Sequence, residues 1–406
     1  MAHPVGRRGS ARSGPVAAPA LRAPGRGRLD FTPGTSTVGL PEHERAPAAA
    51  PTRIGLVGVN DRARRLLLPG LAGAPRARLT AVCGRDAART RAAAIALGPG
   101  VAAFDSVAAM AASGEVDAVY VNTPVDAHPA ACLAAIAAGC AVICEKPLAA
   151  DTATATALCA AAAAAGVATA VNFTYRSVPG FRLAGRLLHR PGLGRPLHGD
   201  VALFQGHNFV PGFPRVSALL DSGVHLLDTL SALAAAAGMG RVEAVSAAPL
   251  RAAAGGGPDF GWTFLARTAA GPVVVGQFSR SALGWRNGLR WDLYGEDAAL
   301  AVELDGPRTA VRLARRDGAQ PFGSWQPVPL PADLAADDAR FPQYHLDRLV
   351  GAVRGEERFP DFAAALETHA LADALVAAAE SGGWAPVVAP RRGLSPGTGL
   401  AAGRAR

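Results

Sequence analysis

The sequence is almost without lysine. Of its 41 basic residues, 40 are arginine, and the single lysine is Lys146, in the stretch Val142–Leu148. A lysine can shift its pKa and transfer a proton, whereas an arginine stays protonated in a protein. Lys146 follows a short apolar run and precedes a proline, which predicts a position at the carboxyl end of a strand. Ligands of open α/β sheets bind at that edge, so a functional role is favoured over a chance remnant of an arginine-rich composition.

Cysteine is also scarce. The five cysteines are odd in number, lie in the first half of the chain and form no Cys-x-x-Cys pair. They are Cys83, Cys132, Cys140, Cys144 and Cys159. This pattern favours small buried side chains in a reducing compartment over a disulfide framework or a zinc site.

Long apolar runs are missing. The alanine-rich run of residues 152–175 is uncharged, but Gly166 divides it, which favours a helix followed by a strand over a membrane span. Arg7 and Arg8 resemble a twin-arginine signal, yet proline and arginine recur up to Arg28, so no apolar signal segment follows. The sequence therefore predicts a cytoplasmic protein without a membrane segment.

The positive charge is unevenly distributed. The net charge is +9, of which residues 1–50 supply +4 (seven Arg, three acidic residues) and residues 391–406 another +4 (four Arg, no acidic residue). The 340 residues between them carry 30 basic and 29 acidic groups. Basic tails on a nearly neutral body argue against a nucleic-acid-binding surface.

The pattern of apolar segments predicts two folded domains between two disordered segments. Residues 1–50 and 391–406 are rich in Pro, Gly, Ala and Arg and are expected to be disordered. Over residues 52–172 short apolar strands alternate with helical stretches, which predicts an α/β domain with a parallel sheet. Over residues 173–388 a run of strands joined by Gly- and Pro-containing turns, with a few helices, predicts an α+β domain with a mostly antiparallel sheet.

The first strand runs into a glycine turn, Gly58-Val59-Asn60-Asp61-Arg62-Ala63. The turn matches the first and third positions of the dinucleotide fingerprint Gly-x-Gly-x-x-Gly/Ala, and Asn60 replaces the second glycine. Asparagine tolerates a left-handed backbone better than most residues do. An ordinary strand-to-helix turn explains the segment about as well, but its place at the first strand of a βαβ series favours nucleotide binding.

Two further segments carry polar residues. Asn122-Thr123-Pro124 ends a later strand, with His128 four residues on, where side chains can bind a nucleotide or form an ordinary loop. Asp221 and His225 are four residues apart and share a face of a helix, with Asp228 one turn beyond. Such a pair is either a general acid–base dyad or a local hydrogen bond.

Together these motifs resemble the glucose–fructose oxidoreductase / inositol dehydrogenase / rhizopine-catabolism (Gfo/Idh/MocA) family over residues 52–388. The resemblance rests on the Gly58 turn, Asn122-Thr123-Pro124 with His128, Glu145-Lys146-Pro147 and Asp221-x-Gly223-x-His225-x-x-Asp228, in the family's order and spacing. Asn172–Arg176 and the closing Pro360–Phe362 helix start also look like the family. The glycine turn departs from it.

The resemblance implies a Rossmann domain followed by an open-faced sheet that serves for homodimer or homotetramer formation and for one wall of the substrate site. It also implies hydride transfer between NAD(P) and a sugar, cyclitol or related polyol. Lys146, Asp221 and His225 would be the catalytic set, and Tyr175 and Arg176 would line the substrate site. The cofactor residues would be Gly58, Asn60, Asp61, Arg62, Arg85, Asn122, Thr123, Pro124, His128, Glu145 and Lys146.

Residues after the second strand bear on the choice of nicotinamide. NAD-selective Rossmann domains place an acidic residue about 20 residues past the glycine turn, and here Gly84 takes that position, followed by Arg85. A missing carboxylate beside a guanidinium favours NADP, since Arg clamps phosphate. Alternatively Gly84-Arg85 is only a turn with Asp86 as helix N-cap, or Asp86 turns back to the ribose and NAD binds.

Three functions are compatible with this sequence. An oxidoreductase is favoured, because a proton acceptor, a polarising cation and a nucleotide-binding edge are all present. A redox-neutral, glycoside-processing enzyme that keeps its nicotinamide bound is the second. A non-enzymatic nucleotide-binding sensor is the third, and it has no need for a titratable lysine beside an Asp/His pair.

Overall fold

The computed structural model describes residues 50–189, 192–210, 216–251, 258–305, 308–316 and 323–388. The two segments predicted to be disordered lie outside these ranges, apart from Ala50, so that prediction is not tested.

Six parallel strands form the first sheet. They are β1 (Thr52–Val57), β2 (Ala77–Cys83), β3 (Ala102–Phe104), β4 (Ala118–Val121), β5 (Ala141–Cys144) and β6 (Thr169–Val171). Their order is β3-β2-β1-β4-β5-β6, so the direction of winding reverses between β1 and β4. β1, β4 and β5 are almost wholly buried, as expected for strands covered by helices on both faces. The predicted α/β fold with a parallel sheet is confirmed.

Helices cover both faces of this sheet. A π-helical segment (Ala63–Leu67) leads into α1 (Leu68–Ala72), and α2 (Ala87–Leu97), α3 (Val107–Ala112), α4 (His128–Ala137) and α5 (Thr152–Ala165) follow. The side chains of Asp86, Ser106 and Asp151 accept hydrogen bonds from the first turns of α2, α3 and α5 and fix where these helices begin. The uncharged alanine-rich run thus forms helix α5 and strand β6, as predicted.

Nine strands form the second sheet. They are β7 (Pro196–Phe204), β8 (Val242–Leu250), β9 (Gly261–Thr268), β10 (Val273–Ser279), β11 (Gly288–Gly295), β12 (Ala298–Asp305), β13 (Arg308–Arg315), β14 (Gln326–Pro327) and β15 (Ala385–Pro386). The order is β14-β13-β12-β11-β7-β10-β9-β8-β15, and only β7 and β10 pair in parallel. A mostly antiparallel sheet was expected, and it is confirmed.

The remaining helices pack on one face of the second sheet and return to the first. They are α6 (Pro179–Leu188), α7 (Val224–Ala236), α8 (Ala332–Ala339), α9 (Phe341–Val353) and α10 (Phe362–Ser381). α10 lies against α5, α7 and β8, while α9 lies against α1, β5 and β6. The other face of the sheet is open: Leu265 and Val275 are exposed there, beside a cavity of about 430 Å³. The proposed domain limits at residues 172 and 173 stay a prediction.

The sequence predicts no membrane segment and favours free cysteines over disulfides. Within the described ranges, α10 alone is long and apolar enough to cross a membrane by length and composition, and 61% of its most apolar stretch is buried inside the fold. A buried core helix has these properties too. All five cysteines are free thiols.

Candidate active site

The predicted edge residues lie side by side. Gly58 directly follows β1, Asn122 follows β4 and Glu145 follows β5, and these strands are neighbours in the sheet. The Asn122 peptide N–H donates to the Val57 carbonyl (2.9 Å), and the Glu145 N–H donates to that of Val121 (3.0 Å). The three motifs therefore meet at one carboxyl edge, at the point where the winding reverses, which is where nucleotides bind in such sheets.

The glycine turn is locked onto the loop after β4. Gly58 has a φ of +91°, and a Cβ atom there would lie 2.5 Å from the carbonyl oxygen of Asn122. The Asn122 side-chain amide in turn donates to the Gly58 carbonyl at 2.9 Å. Only glycine fits this position, because any side chain would push the two loops apart.

Asn60, at the second glycine position, acts through its side chain. Its Oδ1 accepts from the Ala63 peptide N–H (2.9 Å) and from Asn122 Nδ2 (3.1 Å), so it caps the helical segment and ties it to β4. No non-glycine residue of the described ranges has a positive φ, so the left-handed backbone that asparagine tolerates is not used here. Within those ranges the peptide N–H groups of Val59 and Asn60 have no acceptor, which fits a pyrophosphate at this turn.

His128 joins the second and third motifs. Its ring is buried, and its two nitrogens lie 3.0 Å from the carbonyl oxygens of Thr123 and Pro147. The Lys146–Pro147 peptide bond is cis. The hydroxyl of Thr123 is buried and has no partner in the described part of the chain, so it is left for a ligand. These features fit the nicotinamide cofactor that the resemblance implies.

Glu145 lies beneath the site rather than in it. Its side chain is buried; one oxygen pairs with the guanidinium of Arg62 (2.7 Å), and the other accepts from Tyr120 (3.1 Å) and Asn172 (2.7 Å). The Asn172 side chain continues to His345 on α9 (2.7 Å). Burial opposes the charged form of Glu145, but Arg62 outweighs it and lowers its pKa. Arg62 thus holds the loop that carries Lys146.

Lys146, in the loop after β5, forms hydrogen bonds to Asp221, in the segment before α7. Its Nζ donates to the Oδ1 and to the main-chain carbonyl of Asp221, each at 2.8 Å. An ammonium has three N–H donors, so one remains. Asp221 lies in a π-helical segment (Leu219–Gly223) that leads into α7, and π-helical segments are frequent at functional sites.

His225, in the first turn of α7, faces aromatic rings. Its ring lies edge-on to Tyr175 (centroids 5.0 Å apart) and to Phe173 (6.2 Å). Its Nδ1 is buried and has no hydrogen-bond partner in the described ranges. Asp221 bonds to Lys146 rather than to His225, so the local Asp/His hydrogen bond considered from the sequence is not present.

The charges of the site set the protonation of His225 and Asp221. Burial lowers the pKa of His225 well below its usual value, and the charge of Lys146 lowers it further, against an opposing effect of Asp221. Burial acts to raise the pKa of Asp221, but Lys146 and Arg280 outweigh burial and lower it. Near neutral pH the imidazole of His225 is therefore neutral, and the carboxyl group of Asp221 is ionised.

The other predicted substrate residues are held by protein partners. The Tyr175 hydroxyl donates to Asn287 Oδ1 (2.6 Å), and burial raises its pKa. The guanidinium of Arg176 pairs with both oxygens of the buried Asp228, at 2.7 and 3.0 Å. Tyr175 therefore borders His225, whereas the charge of Arg176 is already neutralised. Their contact with substrate stays a prediction.

Sequence reasoning missed two residues of the site. Arg280, directly after β10, lies 3.3 Å from the Oδ2 of Asp221, and nothing in the sequence separates it from the 39 other arginines. His207, after β7, was assigned no role, yet burial lowers its pKa, and the charges of Asp221, Arg280 and Lys146 all act on it. No group of three or more metal-ligating side chains occurs within the described ranges.

Comparison with known proteins gives the same class. Residues 52–173 match the model of the oxidoreductase family with an NAD-binding Rossmann fold (GFO_IDH_MocA). Inositol 2-dehydrogenase 1 of Saccharopolyspora erythraea is 30% identical over 345 residues, which cover 81% of this chain and 94% of that protein. A dTDP-3,4-didehydro-2,6-dideoxy-α-D-glucose 3-reductase of Streptomyces violaceoruber is 29% identical over 66% of this chain and 79% of its own length.

Solved structures agree with the fold. An NAD-binding oxidoreductase from Klebsiella pneumoniae superposes with a TM-score of 0.71 at 25% identity, over 84% of this chain and all of that chain. Levoglucosan dehydrogenase in complex with NADH and L-sorbose reaches 0.72 at 21% identity, over 84% of this chain and 99% of that one, and supports the fold alone. The chain therefore belongs to the Gfo/Idh/MocA family of NAD-binding oxidoreductases.

Proposed function

We propose that this oxidoreductase interconverts a hydroxyl and a carbonyl group on a sugar, cyclitol or related polyol, with Lys146, Asp221 and His225 as the catalytic set. The observation that carries the proposal is the Lys146–Asp221 contact, which leaves one N–H of Nζ for a substrate oxygen beside a neutral His225. Similar proteins whose names state sugar or inositol substrates support the substrate class.

Each residue has a defined task. His225 accepts the proton of the substrate hydroxyl during oxidation, since a neutral imidazole is the base available near pH 7. Lys146 donates a hydrogen bond to the same substrate oxygen and stabilises the negative charge that develops there. Asp221 fixes the direction of the Lys146 ammonium. Tyr175 limits the space beside the His225 ring, and Arg176 supports the same wall through Asp228.

The chain's nucleotide edge is proposed to hold the cofactor. A nicotinamide held there would supply the hydride acceptor for the substrate carbon in oxidation and the hydride donor in reduction. The turn at Gly58 and Asn60, with Asp61 exposed beside it, would hold the pyrophosphate, and Thr123 would offer its buried hydroxyl to the cofactor. Pro124 and His128 shape the loop that carries Thr123, while Arg62 and Glu145 act from beneath it.

The preferred cofactor is proposed to be NADP. Gly84 supplies no carboxylate, and a Cβ there would lie 2.7 Å from the Thr90 hydroxyl, which itself bonds the Asp86 carbonyl. The Asp86 side chain caps α2 by accepting from the Arg89 N–H at 3.0 Å, so turning it to a ribose would cost that cap. Arg85 is exposed beside this turn and can clamp a 2′-phosphate. NADH in related structures is a property of those proteins.

The cofactor proposal is tested with dissociation constants for NADPH and NADH. We expect Arg85→Ala to weaken NADPH binding about tenfold or more and NADH binding little, because a phosphate–guanidinium pair contributes roughly 1.5–3 kcal/mol. Arg286→Ala, which removes an exposed arginine in the loop between β10 and β11, is the control with the same change of net charge. NADPH that binds wild type no more tightly than NADH does would refute the preference.

The reaction is tested by a spectrophotometric screen of sugars and cyclitols with NAD⁺ and NADP⁺. Net appearance of reduced nicotinamide with one or more of them is expected. Substrate consumption without reduced nicotinamide would instead support the redox-neutral reaction.

The open face of the second sheet, with Leu265 and Val275 exposed, is proposed as the surface for homodimer or homotetramer formation, to be checked by light scattering. A cytoplasmic location also stays a proposal.

A further inference from the structure

A fully buried arginine lies behind the catalytic carboxylate. The side chain of Arg280 has 0% of its surface exposed, although it carries a permanent charge. Its Nε is 3.3 Å from the Oδ2 of Asp221, and its Nη1 donates to the carbonyl oxygen of Val216 at 2.9 Å. A buried guanidinium is costly unless it is paired, and Asp221 supplies a counter-charge to it here.

The two oxygens of Asp221 have different partners. Oδ1 accepts from Lys146 at 2.8 Å, whereas Oδ2 faces Arg280. The attraction between Oδ2 and the guanidinium opposes a rotation of the carboxylate that would offer both oxygens to the lysine. The ammonium of Lys146 keeps its two bonds to Asp221, and its third N–H stays directed away from that residue.

The main chain of Arg280 is fixed on both sides. Its N–H donates to the Phe260 carbonyl (2.7 Å), and its own carbonyl accepts from the Asn208 N–H (3.0 Å). The guanidinium is therefore placed by the second sheet, while Lys146 is placed by the first. The carboxylate of Asp221 contacts both side chains and so joins the guanidinium of Arg280 to the ammonium of Lys146.

We infer that Arg280 is a positioning residue for the hydroxyl–carbonyl reaction: it clamps Oδ2 of Asp221 and thereby sets the direction in which Lys146 donates to the substrate oxygen. This inference rests on the proposed function. It predicts an effect on the rate of the chemical step and on its pH dependence, with a smaller effect on substrate binding.

Several groups surround Asp221. The charged and titratable side chains that act on it, or that it acts on, are Lys146, Arg280, His225, His207, Arg62 and Tyr175. Removing the charge of Arg280 raises the pKa of Asp221 and of His207, because Arg280 lowers both. Alcohol oxidation needs an ionised Asp221, so the acid limb of the pH profile moves to higher pH.

The kinetic test compares Arg280→Met with Arg280→Lys. For Arg280→Met we expect kcat to fall about ten- to a hundredfold with KM changed less than about threefold, since misplacement by one ångström has effects of that size. The acid limb of kcat/KM should move to higher pH. Arg280→Lys keeps the charge, so its acid limb should lie close to the pH of the wild-type limb. A merely structural loss would instead lower kcat/KM at every pH without moving the limb.

A second measurement needs no turnover. Because the chain has one lysine, ¹³C-lysine labelling gives a single side-chain NMR signal from Lys146. We expect that signal to move in Arg280→Met and in Asp221→Asn, and to stay in place in Arg286→Met, the exposed control.

The outcomes separate the two proposals. If the Lys146 signal moves but no polyol is oxidised by wild type, the clamp stands and the proposed function fails. If wild type oxidises a polyol and folded Arg280→Met keeps its kcat, its acid limb and the Lys146 signal, the clamp is overturned and the function stands.

Discussion

Replacing Gly58 with alanine probes the turn on which nucleotide binding depends. The new Cβ would lie 2.5 Å from the Asn122 carbonyl oxygen, at a backbone φ of +91°. Carbon–oxygen contacts need roughly 3.3 Å, so the loop after β4 has to move by most of an ångström. That oxygen also accepts from Asn60 Nδ2 at 3.1 Å, and the movement breaks this bond.

The expected magnitude follows from these contacts. A non-glycine residue in such a conformation costs about 1–3 kcal/mol, and the lost hydrogen bond costs about 1 kcal/mol more. Gly139 provides a matched control, because its φ is +73° and an alanine Cβ at that position would have no neighbouring atom within 4 Å. Gly139→Ala should therefore carry the conformational cost alone.

Urea denaturation and NADPH titration measure the two effects. We expect Gly58→Ala to lower the free energy of unfolding by about 2–4 kcal/mol, the sum of the two costs. It should also weaken cofactor binding more than about tenfold, whereas Gly139→Ala binds as wild type does. A Gly58→Ala protein that binds NADPH normally, or is no less stable than Gly139→Ala, would show that the loops do not need this close approach.

Two further predictions concern Lys146 and His345. Lys146→Arg should leave fold and cofactor binding intact but lose about 10²-fold or more in kcat, because a planar guanidinium cannot replace the compact ammonium between Asp221 and a substrate oxygen; wild-type turnover would contradict the assignment. Burial lowers the pKa of His345 to about 3, so its neutral form stabilises the fold fully above its ordinary pKa of 6.5, and that stability is lost as pH falls towards 3. Below pH 6, the free energy of unfolding of wild type should fall by up to about 1.4 kcal/mol per pH unit more than that of His345→Gln. His198→Gln, which changes an exposed histidine, is the control. Equal pH dependence of wild type and His345→Gln would refute this prediction.

The edge of the first sheet could be predicted from the sequence for a local reason. Gly58, Asn122 and Glu145 each stand directly after a short buried strand, and parallel strands place their carboxyl ends together. The helix and the strand predicted within the alanine-rich run, α5 and β6, follow from local sequence in the same way. The order of the strands along the chain was enough to predict that these residues lie at one edge of the sheet.

Contacts between distant segments could not be predicted in this way. The Lys146–Asp221 bond joins residues 75 positions apart, and only the family resemblance placed them in one site. β3 was missed because it has only three residues, and α2 was considered only through the possible Asp86 cap, because its alanines give no apolar stripe. The return of α9 to β5 and β6, which places His345 under Glu145, has no sequence pattern at all.

The site also gives a physical reason for the single lysine. Three acidic residues of the sequence motifs each have an arginine partner: Glu145 has Arg62, Asp228 has Arg176 and Asp221 has Arg280. Arginine suits these positions, because a fixed charge with a planar fork of donors holds a carboxylate in place. The fourth cation has to bond to Asp221 and still offer a donor to a small substrate oxygen. The ammonium of Lys146 makes two bonds to Asp221 at 2.8 Å and keeps a third N–H for the proposed substrate contact, which gives a reason for a lysine here in a composition that otherwise favours arginine.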